Sequence, residues 1–368
     1  MRLVWATVTG LVPPSGGIQR VEVHLDDGVT GPAISYQRLS GVCAVGDRVL
    51  VNTTAVDLEL GTGGLHFVVA RADGCEGVAL DEPSGGHIMK LRYTPLQIDV
   101  CSVEERASPH HDAMRTAEDL ADMPVACCGL HSQVPLVAAA VKHADPALRV
   151  AYVMTDFAAL PLALSEVVRA SVSAGLIDAT ITCGQAFGGE HEAVNLHSGL
   201  LAARHVVSAD VAIVAIGPGV VGTATPFGHG GVAQGEAVNA VGALGGTPVA
   251  TLRVSFADER SRHRIVSHHT LTALSRIALA PALVPVPLLP AAQAEAVAEV
   301  LDASGVLRRH RCVECGSGFA PAPDLRGVRV ATMGRGPSDD PAFFAAAFAA
   351  GEACARVAGG EPGLGRGD

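Results

Sequence analysis

The chain is 368 residues long, too long for one small domain and about right for two. Hydrophobic residues make up 49% and charged ones only 17%, so a sizeable core is available and global disorder is excluded. With 26 basic against 37 acidic side chains the net charge is −11, the wrong sign for a general binder of nucleic acid or anionic membrane, and aromatics at 4% offer little for base stacking.

Met1-Arg2-Leu3-Val4-Trp5 lacks the long apolar stretch of a secretory signal. Residues 1–72 then read as β structure. Val21-Glu22-Val23-His24-Leu25 alternates with period two into the turn Asp26-Asp27-Gly28, and Val49-Leu50-Val51 and Leu65-His66-Phe67-Val68-Val69 are further short strands. Short strands separated by Gly and Pro, with no helical period, suggest a small barrel of the SH3 or OB kind. Residues 73–123 read as a linker and extended approach segment.

From Pro124 the pattern changes to short β-branched runs alternating with Ala-rich helical stretches, the signature of a parallel sheet covered by helices. The expected strands are 125–128, 150–155, 179–183, 211–216, 248–254 and 328–332, and the expected helices 133–143, 162–174, 193–207, 232–244, 270–280, 291–303 and 342–358. The expected fold is therefore α/β. A Rossmann-like three-layer domain with a mainly parallel sheet (124–358) follows a small N-terminal β-barrel (1–72), and a flexible tail (359–368) closes the chain. The apolar stretches 211–221 and 277–290 are broken by Gly and Pro and do not read as membrane spans. Nine cysteines without regular spacing point to reduced thiols and a cytoplasmic protein.

Ligands of open parallel sheets bind outside the carboxyl ends of the strands. Small and hydrogen-bonding residues gather at that edge: His131, Asp156, Gln185, Gly217 through His229, Asp258, Arg260 and Arg335, whereas the opposite loops are plain. Gly217-Pro218-Gly219-Val220-Val221-Gly222 matches G-x-G-x-x-G, but Pro226, Gly228, Gly230 and Gly231 break any helix it could open and no acidic residue follows at ribose distance. NAD is accordingly disfavoured. Gly217, Gly219 and Gly222 with Thr223 and Thr225 read instead as a hydroxyl-bearing loop able to surround an anion, or as a structural loop.

His131, His229, His268 and His269, with Asp156 or Asp258, would suit a divalent metal with an open water position, yet no His-Glu-x-x-His spacing is present. Cys312-Val313-Glu314-Cys315 supplies two thiolates where a closed zinc site needs four, so a surface loop is the expectation there. Asp258-Glu259-Arg260-Ser261-Arg262-His263-Arg264 is the densest charge cluster. It reads as an anion grip with a neighbouring histidine as acid or base, or as a solvated loop.

Several of these motifs carry a family resemblance. Asn52-Thr53-Thr54-Ala55, Gly61-Thr62-Gly63-Gly64, Gly86-His87, Ser108-Pro109-His110-His111 and Gly129-Leu130-His131-Ser132 are similar to motifs of the uncharacterised bacterial family DUF3866. So are Tyr152-Val153-Met154-Thr155-Asp156, Gly184-Gln185-Ala186-Phe187-Gly188-Gly189, Gly217-Pro218-Gly219, Ser267-His268-His269-Thr270 and Thr332-Met333-Gly334-Arg335-Gly336. The resemblance spans nearly the whole chain, excludes the Cys312/Cys315 pair and implies no established activity.

The leading expectation is an enzyme acting on a small anionic, phosphorylated or carboxylated metabolite. Gly217, Gly219, Gly222, Thr223, Arg260 and Arg335 would hold the anion, His131, His268 or His269 would move protons, and Asp156 would orient one of them. Gln185, Thr225, His229 and Asp258 would complete the ligand site. A non-catalytic metabolite sensor or scaffold and a metal-dependent hydrolase using the cleft histidines stand as alternatives, and the Ala- and Gly-rich stretch 232–244 leaves a homo-oligomer open.

Overall fold

The structure, a computed structural model, describes residues 1–59, 64–72, 84–316 and 324–364. Gly61-Thr62-Gly63 of the family motif, the 73–83 link and residues 365–368 of the tail lie outside the described residues. The chain divides into two compact units, Met1–Val100 and Cys101–Asp368.

The first unit is built on a closed barrel of β1 (Leu3–Leu11), β2 (Ile18–Leu25), β3 (Thr30–Tyr36), β4 (Arg48–Asn52) and β5 (His66–Arg71), in the order β1-β2-β3-β5-β4. Short helices α1 (Gln37–Ser40) and α2 (Thr54–Asp57) lie in its connections, and a hairpin of β6 (Ile88–Lys90) and β7 (Ile98–Val100) follows. The period-two alternation of β2 puts Val21, Val23 and Leu25 inside with Ala6, Val8, Ala33, Val49, Val51 and Val68. Gln19 is buried and its amide both donates to Cys43 O and accepts from Cys43 N, satisfying backbone groups that no strand reaches.

The second unit is an eight-stranded, all-parallel sheet with helices on both faces, a Rossmann-like α/β domain. After α3 (His111–Thr116) its main elements are β8 (Pro124–Cys127), α4 (Val134–Ala144), β9 (Val150–Thr155), α5 (Glu166–Ser173), β10 (Ala179–Cys183), β11 (His191–Ala193) and α6 (Leu196–His205). There follow β12 (Val211–Ile216), α7 (Ala233–Ala243), β13 (Thr247–Ala250), a small hairpin of β14 (Val254–Ser255) and β15 (Ile265–Val266), and α8 (His268–Thr272), which runs into a π-helical turn, Ala273–Ile277. The domain ends with β16 (Leu283–Pro287), α9 (Ala291–Ala303), β17 (Arg311–Cys315) and α10 (Pro341–Ala358).

The strand order is β11-β10-β9-β12-β8-β13-β16-β17. Every residue of β8, β9, β10, β12 and β13 is buried, as expected of central parallel strands covered on both sides. Alternate residues feed two separate cores. Val125, Cys127, Val153 and Val214 pack with α6, α7 and α9, while Ala126, Cys128, Tyr152 and Ile213 pack with α4 and α10. The two latter helices touch so closely that a Cβ on Gly351 would stand 2.3 Å from the Val137 carbonyl oxygen. Among the described residues no helix is long and apolar enough to cross a membrane.

Three expected elements differ from those observed. Residues 328–332 form no strand, and the last strand of the sheet is instead β17, which carries Cys312 and Cys315 and pairs with β16 over five residues. The expected helix 270–280 is the short α8 and the π turn. The strand expected at 248–254 is split, because Thr251–Arg253 leaves the sheet between β13 and β14.

Candidate functional site

Strands β12 and β13 lie on either side of β8, so the segments that leave their carboxyl ends converge above the middle of the sheet. Two buried glutamines stitch that edge together. Gln234 Nε2 donates to Cys127 O and Thr251 O, and Gln133 Nε2 donates to Leu252 O. The glycine loop after β12 is folded into a small hairpin, with Gly222 bridged to His229 and Gly230 N donating to Val221 O. Its function in the fold is to deliver His229. From the other side, Ser267 caps α8 by accepting from His269 N and so sets His268 and His269 at the start of that helix.

These two segments bring three imidazoles together, and a fourth, His263, joins them from the turn before β15. The rings of His229 and His269 stack at 3.9 Å, His268 stands 4.4 Å from His269 and 5.3 Å from His229, and His263 lies 4.9–5.1 Å from His269 and His268, all between centroids. One ring nitrogen each from His229, His268 and His269 falls within 4.8 Å of the other two. His229 Nε2 meets the Pro226 carbonyl at 3.1 Å, so it carries the proton and Nδ1 keeps its lone pair. His229 Nδ1, His268 Nε2 and His269 Nδ1 are buried atoms with no hydrogen-bond partner among the described residues.

Glycine makes the room for this cluster. A Cβ on Gly231 would stand 2.8 Å from His269 Cβ and 3.0 Å from His229 Nδ1, and one on Gly222 would stand 3.3 Å from His269 Nε2. Burial, followed by the charge of neighbouring imidazoles and of Arg253, pushes His269 down to about 2; burial and then Arg253 and Arg260 push His263 down to about 3. His229 and His268 are also shifted downward, chiefly by burial. The imidazoles are therefore neutral near pH 7, with lone pairs available to a proton or a metal. Ile265, a β-branched residue, is held at φ 62° in the segment between His263 and Ser267, a strained conformation fixed by its surroundings.

Beside the imidazoles lies a buried charge cluster. Asp258, 2% exposed, accepts from Arg253 at 3.5 Å, from Arg260 at 2.9 Å and from Arg335 at 3.3 Å, and Asp340 accepts from Arg335 at 3.2 Å and from Ser255 Oγ at 2.7 Å. The Arg260 guanidinium holds the Asp258 carboxyl well below the usual carboxylate range. Three guanidiniums against two carboxylates leave one positive charge in excess. Arg335 is aimed inward by a tight turn in which Thr332 and Arg335 exchange both backbone hydrogen bonds and Met333 and Gly334 both have positive φ, 49° and 77°.

A family model described as a protein of unknown function, DUF3866, matches residues 32–351. The chain belongs to the DUF3866 family. No curated protein and no solved structure matches it. The matched span holds His229, His268, His269, Arg253 and Arg335.

In this DUF3866 protein the remaining expected site residues are engaged elsewhere. His131 is buried, its Nδ1 donating to Ile216 O at 3.1 Å and its Nε2 accepting from Ser165 Oγ at 2.6 Å, with Tyr152 OH alongside at 3.2 Å. Asp156 packs on Gly184 and accepts from Gln185 N at 2.8 Å, joining the loops after β9 and β10. Gly217 lets its loop approach the segment after β9, since a Cβ there would meet the Ala159 carbonyl oxygen at 2.3 Å. Gly219, at φ 92°, turns the chain into the hairpin. Thr223 and Thr225 are exposed, and their hydroxyls bond each other and the Gly228 backbone, so they shape the hairpin tip. Arg253, Asp340, His263 and Gly231 escaped the expected set. Arg253 and Gly231 carry no motif of their own, whereas His263 lies five residues before His268 inside the charge cluster already singled out.

Proposed function

We propose that this DUF3866 protein is a cytoplasmic enzyme acting on a small anionic substrate, a phosphorylated or carboxylated metabolite, at the carboxyl edge of its parallel sheet. The supporting observation is the excess positive charge of the Arg253, Arg260 and Arg335 cluster next to neutral histidines. Guanidiniums match the geometry of phosphate and carboxylate oxygens, and an anion arriving at the partly exposed Arg260 and Arg335 neutralises the excess charge of the cluster. All described cysteines are free thiols, in keeping with a reducing compartment.

The test is a thermal-shift screen of the full chain against inorganic phosphate, phosphorylated and carboxylated metabolites and nucleotides. A ligand at 100 times its Kd adds about 2.7 kcal/mol, or about 5–10 °C for a domain of this size. At least one anionic compound should give that shift, Arg335→Gln should remove most of it, and the compound should be consumed on incubation. No shift from any anion, or an equal shift in Arg335→Gln, contradicts the reading; a shift without turnover makes the protein a sensor.

A further inference from the structure

The geometry points to a divalent transition-metal site held by His229, His268 and His269, with coordination positions left for water or substrate. It deepens the function proposed above by giving that cleft a Lewis acid, and it rests on separate residues from those that grip the anion.

Four observations carry it. Nitrogens from three imidazoles on two different segments come within 4.8 Å of one another. The buried nitrogens His229 Nδ1, His268 Nε2 and His269 Nδ1 have no hydrogen-bond partner among the described residues, although leaving such a group unsatisfied costs about 1–3 kcal/mol. The Pro226 carbonyl accepts the Nε2 proton of His229, the outer contact that fixes the tautomer and orientation of a metal-binding imidazole. The glycines at 222 and 231 keep side chains out of the space this trio occupies.

The donor set selects the ion. Neutral imidazoles suit zinc and its first-row neighbours and are poor ligands for magnesium or calcium, which require oxygen. Three protein ligands are one fewer than a closed structural zinc site uses, so an exchangeable position remains. Zn–N bonds of about 2.0–2.1 Å set tetrahedral ligand nitrogens about 3.3 Å apart, so the ion would draw the rings together from their present spacing. A dication beside a cluster already one charge positive requires an anionic partner. Hydroxide formed from bound water, or the substrate's own anionic group, meets that requirement.

The decisive experiment uses the full chain purified without added metal or chelator, followed by metal analysis and by Co²⁺ and Zn²⁺ titration of protein stripped with a chelator. The expected result is one ion per chain and a Co²⁺ visible spectrum that Zn²⁺ abolishes. His268→Ala and His269→Ala should each weaken binding by at least about 100-fold, more than the 10–100-fold typical of losing an outer-shell partner. His205→Ala, an exposed histidine of α6, should bind normally. If the wild-type chain takes up no Co²⁺ or Zn²⁺, or if the cluster variants bind as well as wild type, the metal site is wrong. Should those variants fail to fold by circular dichroism, the wild-type titration still decides. Metal uptake without any anion-dependent thermal shift overturns the substrate reading and keeps the metal; the reverse pattern does the opposite.

Discussion

Two groups of buried histidine stand at the carboxyl edge of the same sheet, and they are built differently. His131 has both ring nitrogens bonded, one to a backbone carbonyl and one to a serine hydroxyl, and its surroundings are complete. His229, His268 and His269 each keep a buried ring nitrogen without a partner among the described residues, and ring nitrogens of the three lie within 4.8 Å of one another. Burial lowers the proton affinity of both groups, so neither burial nor pKa separates them. The unsatisfied lone pairs do. A polar group that is buried and bonded holds a fold together, and one that is buried and unbonded is waiting for something.

Mutations can break this contrast. Replacing His268 by Ala should have the largest effect, the loss of metal affinity described above, with little change in thermal stability of the stripped protein. The converse variant, His131→Ala, should cost about 3 kcal/mol through its cavity and the stranded Ser165 hydroxyl, lowering Tm by about 6–12 °C, and should leave the metal stoichiometry at one.

The same residue predicts a pH dependence. Burial holds His131 down at about 4 in the folded chain, against about 6.5 when unfolded. The unfolded chain therefore takes up its proton first as pH falls. The contribution is whole above pH 6.5 and is lost progressively between pH 6.5 and 4, at about 1.36 kcal/mol per pH unit. Urea unfolding at pH 7 and pH 4.5 should show a smaller difference for His131→Asn than for wild type; an equal difference would contradict the assignment.

Smaller effects sharpen the picture of the open cluster. Gly231→Ala adds a methyl group 3.0 Å from His229 Nδ1 and should reduce metal affinity about 10-fold, as outer-shell changes do, while the far-UV spectrum stays unchanged. Ser267→Ala removes the cap of α8 and the 2.8 Å contact to His263 Nδ1, and should cost about 1 kcal/mol in urea unfolding.

Much of the fold was legible because local pattern and tertiary role agree. The run Val211–Ile216 is apolar at every position and is a fully buried central strand, and the Ala-rich helix expected at 291–303 is observed with those same limits. Residues 328–332 are β-branched enough to read as a strand, but the position beside β16 is taken by β17, and Val328 and Val330 contribute their side chains to the core from an irregular segment. That choice is tertiary and leaves no local trace. At the site, the loops and the His268-His269 pair could be placed by the strand-end rule, whereas the division of labour could not. Whether a histidine is capped by Ile216 O and Ser165, or faces two other histidines, depends on partners 34 to 85 residues away. Arg253 was hidden for the same reason, a single charge in an apolar run that becomes meaningful only when Asp258 and Arg335 fold onto it.

The central claim is that the unpartnered nitrogens of His229, His268 and His269 await a metal ion. Crystals of the protein soaked in Zn²⁺ and measured on both sides of the zinc absorption edge test it most directly. The predicted result is an anomalous peak bonded to all three imidazoles and absent at His131. A map with no peak among these rings, or with zinc bound only at surface residues, would contradict it.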